Sequence, residues 1–340
     1  RSAIKQALLG SEIVNQVEIA ANGKIGIDKM KSQHFDSVTL DLEMPVLSGL
    51  DTIKAIREFD KEIPIIIFSA QSISGANKTL EALQWGADDF VSKLTGSNDI
   101  NENLKMIQQE LIPRFNALIA RKKRKKELSK NEISPVKNEK ESQKLDVDKF
   151  RADIVCMASS TGGPELLIKF FSGLKKLRVP VLLVQHMPPV FTTQLAKALD
   201  ACGINTVIEA KHGDILKAGH VYLAPGDYHM CLTKAEDGQY QTVLNQDEKV
   251  CYVRPAADVL FQSVAENFNG NIAGFVFTGM GNDGAAGCQK IKDRKGIILI
   301  QDEASCVVWG MPRAVSQKSL QDCTLSPDKL IEKMNLIAGK

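Results

Sequence analysis

The stretch MASSTGGPELL at residues 157–167 places two adjacent serines, Ser159 and Ser160, and two glycines directly after the apolar run ADIVCM. A serine hydroxyl is a weak nucleophile until a base takes its proton, so a loop of this kind does chemistry only if a histidine can reach it. Of five histidines, His186 alone ends a strongly apolar run, VPVLLVQH, just before MPP. His34 belongs to the other half of the chain, and His212, His220 and His229 lie around turn-like sequence. An imidazole acting as base needs a third group to orient it. Asp283, in TGMGNDGAAG, follows the run NIAGFVF and sits among glycines that permit close backbone approach. A serine, His186 and Asp283 therefore stand at the ends of three separate strand-like runs. By residue type alone Ser159 and Ser160 are equally nucleophilic.

Other chemistries compete for the same residues. Glycines after a strand can let the backbone approach a phosphate at a helix N-terminus. SSTGG, however, has neither the GxGxxG nor the GxxxxGK[ST] spacing, so no specific motif supports nucleotide binding. What remains is a serine at a tight strand-to-helix turn, with Pro164 and Glu165 suited to the first helical turn. A metal hydrolase is the other competitor. His212-Gly-Asp214 and Asp227-Tyr-His229 offer ligand types at short spacing, but neither pair has a recognised ligand pattern.

A second constellation lies upstream. Asp41 ends the run DSVTLDL and is followed by Met-Pro and Gly49; Ser69 ends IIIFSA, and Lys93 ends ADDFVSK. Three strand ends bearing an acid, a hydroxyl and an ammonium could form a phosphoryl-accepting pocket. In it the carboxylate is the nucleophile and the other two groups hold phosphoryl oxygens.

The elements that must position these groups follow one pattern in both halves: short apolar runs alternate with helix-period segments. That alternation predicts α/β folds with parallel sheets covered by helices. The upstream runs are VEIA (17–20), DSVTLDL (36–42), IPIIIFSA (63–70) and DDFVSK (88–93); the downstream ones are ADIVCMA, VPVLLVQH, HVYLAP, NIAGFVFTG and GIILIQ. Parallel sheets place ligands at the carboxyl ends of their strands, where both constellations fall. Between the halves, RKKRKK at 121–126 opens a stretch rich in Lys, Glu, Ser and Asn that reaches Phe150. It cannot bury enough apolar surface to order itself. It reads as a charged linker beginning at the end of a helix, and it lacks the interleaved aromatics expected of a nucleic-acid surface.

Bulk properties agree. A chain of 340 residues accommodates two domains. With 44% hydrophobic and 25% charged residues, and no apolar run near the length of a membrane span, a soluble protein without membrane insertion is expected. The net charge of +2 gives no global pull toward nucleic acid. Seven scattered cysteines without a CxxC pair, and no secretory succession at the N-terminus, predict reduced thiols and a cytoplasmic location.

Two resemblances sharpen these expectations. DLEMPVLSGLD, IIIFSA and GADDFVSK resemble the phosphorylation loop, hydroxyl strand and lysine strand of two-component receiver domains, over residues 1–120. The resemblance implies that Asp41 accepts a phosphoryl group from a histidine kinase, with Ser69 and Lys93 as switch and charge partners and Mg²⁺ as cofactor. Leu94 stands where that family usually has proline. The acidic pair that holds Mg²⁺ in the family, at the end of its first strand, is absent from this sequence, which opens at RSAIKQALL like the helix that follows. A start before Arg1 is expected on that ground.

Downstream, MASSTGGPELL, VQHMPPVFTTQLAKALD, HGDILKAGHVYLAPGDYHM, RPAADVLFQSVA, TGMGNDGAAG and QDEASCVVWGMPRAV resemble the catalytic domain of the chemotaxis protein-glutamate methylesterases, the CheB family, over residues 152–336. The resemblance implies a serine hydrolase, without a cofactor for catalysis, that removes methyl esters from chemoreceptor glutamates and in some members deamidates glutamines. It selects Ser160 as nucleophile, His186 as general base and Asp283 as orienting acid, with Thr161 and the Met280 amide as oxyanion candidates. Ala158-Ser159 stands where the family usually has glycine-alanine. The expected architecture is two doubly wound parallel-sheet domains: a flavodoxin-like receiver at 1–120, a linker at 121–150 and a Rossmann-like α/β serine hydrolase at 151–340. Phosphorylation of Asp41 is expected to relieve a receiver that covers the triad. The alternative is a non-catalytic response regulator whose second domain only binds a partner, which leaves the company of His186 and Asp283 unexplained.

Overall fold

The computed structural model describes residues 2–11, 13–93, 100–128 and 147–339. The chain forms two compact units, Arg1–Pro135 and Val136–Lys340. Both are built from parallel strands and helices. No helix among the described residues is long and apolar enough to cross a membrane.

The first unit contains α1 (Ser2–Leu9), α2 (Gly23–Ser32), β1 (Val38–Asp41), α3 (Gly49–Phe59), β2 (Ile65–Ser69), α4 (Ile73–Gln84), β3 (Asp89–Ser92) and α5 (Ile100–Leu128). Its parallel sheet has the order β1-β2-β3. The middle strand, IIIFS, is buried throughout, which explains its unbroken apolar run where an exposed sheet face would alternate. Helix α3 starts where the Ser48 hydroxyl accepts the Asp51 N–H, and it buries Ile53 and Ile56. Ser72 caps α4 in the same way.

VEIA at 17–20 does not form the strand expected of it. A strand exists through its ladder hydrogen bonds, and among the described residues nothing pairs with this segment. A cavity of about 540 Å³ is lined by Val17 and Ile19 on one side and by Val38 and Leu40 of β1 on the other. Apolar composition was present; a partner within hydrogen-bond reach was not.

Arg121 to Leu128, expected at the start of the linker, are the last turns of α5. Arg121 lies 3.3 Å from Asp88, and Lys122 lies 3.9 Å from Asp60. The rest of the expected linker as far as residue 146 lies outside the described residues, as does Leu94. Val147 is buried within the second unit.

The second unit contains β4 (Ile154–Ser159), α6 (Gly163–Ser172), β5 (Val181–Gln185), α7 (Phe191–Asp200), β6 (Thr206–Glu209), β7 (His220–Leu223), β8 (His229–Lys234), β9 (Tyr240–Asn245), α8 (Ala257–Asn267), β10 (Ile272–Val276), α9 (Ala285–Asp293), β11 (Ile297–Gln301), α10 (Met311–Gln317), β12 (Cys323–Leu325) and α11 (Pro327–Ala338). Seven strands make one parallel sheet in the order β12-β11-β10-β4-β5-β7-β6. The chain starts in the middle with β4, winds outward through β5 to β7, then returns to the other side of β4 as β10 to β12. The strand order reverses between β4 and β10, and it is at the carboxyl ends beside such a reversal that parallel sheets place ligands.

The five downstream runs expected as strands are β4, β5, β7, β10 and β11. The edge strands β6 and β12 went unread because they are short and only partly buried, so they carry no continuous apolar run. The antiparallel hairpin β8-β9 also lacked a clear signal and packs on α8. Beneath the sheet, Phe170 and Phe277 meet edge to face with ring centroids 5.0 Å apart, anchoring α6 under the turn that holds the serines.

Candidate active site

Ser159 is the last residue of β4 and pairs in register with Gln185, the last of β5; the His186 N–H then donates to the Ser159 carbonyl at 3.1 Å. One residue beyond each strand, Ser160 and His186 thus emerge side by side. Ser159 is buried, and its hydroxyl donates to Gln185 Oε1 at 2.7 Å. Ser160 is half-buried. Its N–H donates to the Thr278 carbonyl beyond β10 (3.0 Å), and its carbonyl accepts from Gly163 (2.8 Å) and Gln185 Nε2 (3.0 Å). Gln185 Nε2 also reaches the His186 carbonyl at 3.3 Å. One buried amide thereby ties the serine turn to the histidine. Gln185 gave no signal in the sequence beyond its place before His186.

The turn is tight around both serines. A Cβ on Gly163 would lie 2.1 Å from Gln185 Oε1 and 2.9 Å from Ser159 Cβ, so a side chain there would push the bridging amide aside. A Cβ on Gly279 would lie 2.8 Å from Ser160 Cβ, which places the loop after β10 directly against Ser160. Met280 follows in that loop and is half-buried. Thr161 is buried in the serine turn, where its carbonyl accepts the Thr278 hydroxyl at 2.9 Å.

Asp283 completes the site. His186 Nε2 and Asp283 Oδ2 are 2.7 Å apart, and both side chains are almost fully enclosed. An ionised carboxylate only accepts, so the ring proton sits on Nε2 and the Nδ1 lone pair is the one available to a serine proton. The Asp283 carboxylate also accepts the N–H groups of Ala257 (2.6 Å) and Asp258 (2.9 Å) at the start of α8. Burial by itself pushes this carboxyl up. The hydrogen bond and charge of His186, with the two backbone N–H groups, outweigh that and hold it below its ordinary value. Asp258 next to it is pushed up, by burial first and then by the Asp283 charge.

The pairs considered as metal ligands are engaged elsewhere. His229 Nε2 faces the Glu248 carbonyl at 3.0 Å and its Nδ1 accepts the Ala256 N–H at 3.2 Å, while Asp227 binds Arg254 at 2.7 Å. Asp214 accepts the Lys211 N–H, and His212 Nδ1 faces the Leu244 backbone.

In the first unit, Lys93 Nζ sits 2.8 Å from both carboxylate oxygens of Asp41, and the Glu43 N–H donates to Asp41 Oδ1 at 3.0 Å. Ser69 meets this pair only through its backbone, where its carbonyl accepts the Lys93 N–H at 2.6 Å. It is buried, and its hydroxyl donates to the Gly75 carbonyl at 3.0 Å. Mg²⁺ demands several oxygen ligands in octahedral array, commonly one or two carboxylates with waters and phosphate. Among the described residues Asp41 is the acid at this strand end and Lys93 holds both its oxygens, while Glu43 pairs with Lys78 at 3.2 Å. These donors do not by themselves make a Mg²⁺ site.

The family described as CheB methylesterase matches residues 155–334, and that described as response regulator receiver domain matches residues 1–105. A protein-glutamate methylesterase/protein-glutamine glutaminase of Trichodesmium erythraeum is 38% identical over 98% of this chain and 94% of its own. One of Pyrococcus horikoshii is 35% identical, over 96% of this chain and 90% of its own. The crystal structure of the Thermotoga maritima CheB methylesterase catalytic domain is 41% identical, with a TM-score of 0.52, and the match spans 55% of this chain and 97% of that one. With the strand-end serine, histidine and aspartate in place and these likenesses beside them, the chain belongs to the CheB methylesterase family and carries a response regulator receiver domain ahead of its esterase domain.

Proposed function

We propose that the second unit hydrolyses methyl esters of glutamate side chains on chemoreceptors, releasing methanol, with Ser160 as nucleophile. The observation that carries this reading is the half-buried Ser160 one residue beyond β4, beside a His186 that is held by a buried Asp283. Ser160 Oγ attacks the ester carbonyl as His186 Nδ1 takes its proton. His186 returns that proton to the departing methoxide, leaving a glutamyl ester on Ser160. Water, deprotonated by the same imidazole, then frees the glutamate. Asp283 orients the ring and stabilises the imidazolium at both stages. The Thr161 and Met280 backbone amides are the candidates for the oxyanion. The same sequence with an amide substrate releases ammonia, the deamidation named for the relatives.

In the first unit we assign Asp41 as the phosphoryl acceptor, with Lys93 paired to it, Ser69 as switch residue and a histidine kinase as donor. Phosphorylation there raises the esterase rate in this reading. We place the reaction in the cytoplasm, on receptor segments outside the bilayer. Methanol release from methylated receptor membranes tests the assignment. Ser160→Ala is expected to lower the rate at least ~10³-fold, and phosphodonor treatment is expected to accelerate wild type but not Asp41→Asn. A Ser160→Ala protein that still releases methanol at the wild-type rate removes the esterase reading.

A further inference from the structure

Asp283 is supported from two sides, and the sequence singled out only one of them. Its loop runs between Gly281 and Gly284, both in the left-handed region (φ +88° and +90°), which a residue with a Cβ adopts only at a cost. Neither α8 nor α9 has a capping side chain at its N-cap, which is Ala256 in one and Gly284 in the other. Each helix instead takes a carboxylate from its neighbour. Asp283, just before α9, accepts the N–H groups of Ala257 and Asp258 at the start of α8. Asp258, in the first turn of α8, accepts the Gly287 N–H in α9 at 2.7 Å, and its carboxylate is also held by the Gly284 and Ala286 N–H groups. The helices close tightly at this point, where a Cβ on Gly287 would lie 2.5 Å from Phe261 Cβ.

We propose that Asp258 is a positioning residue for the triad: by capping α9 while Asp283 caps α8, it fixes the carboxylate that holds His186. The inference rests on the esterase reading above. Two acids this close repel, and the donor atoms of Cys251, Asp258 and Asp283 all lie within 4.8 Å of one another. The arrangement persists because each carboxylate is met by backbone N–H groups at the positive end of a helix. Asp258 thus acts on the histidine through Asp283, because its cap sets where Asp283 sits. Near the pair, besides His186, are the thiols of Cys251 in the turn before α8 and Cys288 in α9, and Cys288 in turn neighbours Cys156 in β4 and the Lys318 ammonium after α10. Burial pushes all three thiols up, Cys251 to about 11, so they remain neutral at physiological pH.

The test uses the full chain with methylated receptor membranes, comparing Asp258→Asn, Asp258→Ala and Ser160→Ala with wild type. Asn keeps a side-chain oxygen for the Gly287 N–H and removes the charge; Ala removes both. The expected result is a fall in kcat of roughly tenfold for Asn and roughly 100-fold for Ala with KM unchanged, within the range of misplaced catalytic groups. The His186 Nε2–H proton, followed by NMR, reports the hydrogen bond to Asp283 and should shift in both variants. A residue that only stabilises the fold would lower Tm and leave the kcat of the folded protein and that resonance where they are. Folded Asp258→Asn with wild-type kcat and an unmoved resonance overturns the proposal, even if the Ala variant fails to fold. If Ser160→Ala also retained activity, it is the esterase reading that would fall, and the resonance would still decide the role of Asp258.

Discussion

The two units each set a carboxylate at the carboxyl end of a parallel strand or just beyond it and pair it with a basic side chain at nearly the same distance, 2.8 Å for Asp41–Lys93 and 2.7 Å for Asp283–His186. Burial separates them. The Asp41 and Lys93 side chains are 38% and 37% exposed, whereas those of Asp283 and His186 are 2% and 9% exposed. An open carboxylate can meet a reagent arriving from solution, and its ion pair is screened by water. An enclosed one cannot react with such a reagent. It becomes a fixed field and a fixed acceptor, suited to hold an imidazole in one tautomer through a reaction. The same residue type, paired at nearly the same distance, is therefore open to solvent in one unit and withheld from it in the other.

The sharpest way to break this contrast is Asp283→Asn. The amide can present an N–H to the ring and favour the wrong tautomer, and methanol release should drop about 10³- to 10⁴-fold while the protein stays folded. A loss below tenfold would show that enclosure at this site does not orient His186. The acid limb of stability gives a second reading of the same residue. Asp283, held below its ordinary value, contributes stability above the unfolded-state value of about 3.9 and loses that contribution as pH falls through the folded value. Urea unfolding followed from neutral pH down to about 2.5 should therefore show a shallower decline for Asp283→Asn than for wild type.

Ser159→Ala tests the withheld site more gently. It leaves Gln185 Oε1 without the Ser159 hydroxyl in a buried place, a cost of about 1–2 kcal/mol in denaturant unfolding. Methanol release should continue. Loss of activity there together with full activity in Ser160→Ala would exchange the roles of the two serines. The smallest effect is expected at the open pair. Lys93→Ala should change the stability of the first unit by less than about 1 kcal/mol, because a pair more than a third exposed gains little from its charge attraction. A larger change, measured by denaturant unfolding, would mean that Asp41 is held more like Asp283 than its exposure indicates.

Much of this was legible along the chain. Parallel strands buried on both faces must be written as unbroken apolar runs, so β2, β4, β5, β10 and β11 could be read directly, and the polar residue that ends or follows each run stands at the sheet's functional edge. Asp41, Ser69, Lys93, His186 and Asp283 were singled out in that way, whereas Ser160 was preferred to Ser159 only through the family resemblance. VEIA shows the limit of the method, because an apolar run states a preference for burial and says nothing about whether a ladder partner is within reach. Gln185 and Asp258 went unread for another reason. Their work is to bridge groups distant in sequence, Ser159 and Ser160 with His186 in one case and α8 with α9 in the other, and no local pattern marks such a contact.

By itself the sequence determined that a serine and a histidine stand at the ends of two strands and an aspartate in the loop after a third, since apolar runs, turn residues and strand ends are local properties. Only the tertiary structure shows how the surroundings of the two serines differ. Pairing in register with β5 carries the Ser159 hydroxyl into Gln185, and Ser160, the first residue past the ladder, is left beside His186. It also shows which ring nitrogen the Asp283 carboxylate meets, Nε2, at 2.7 Å. Both answers depend on groups from different strands meeting within about 3 Å, a distance set by sheet register and helix packing and by nothing written near either residue.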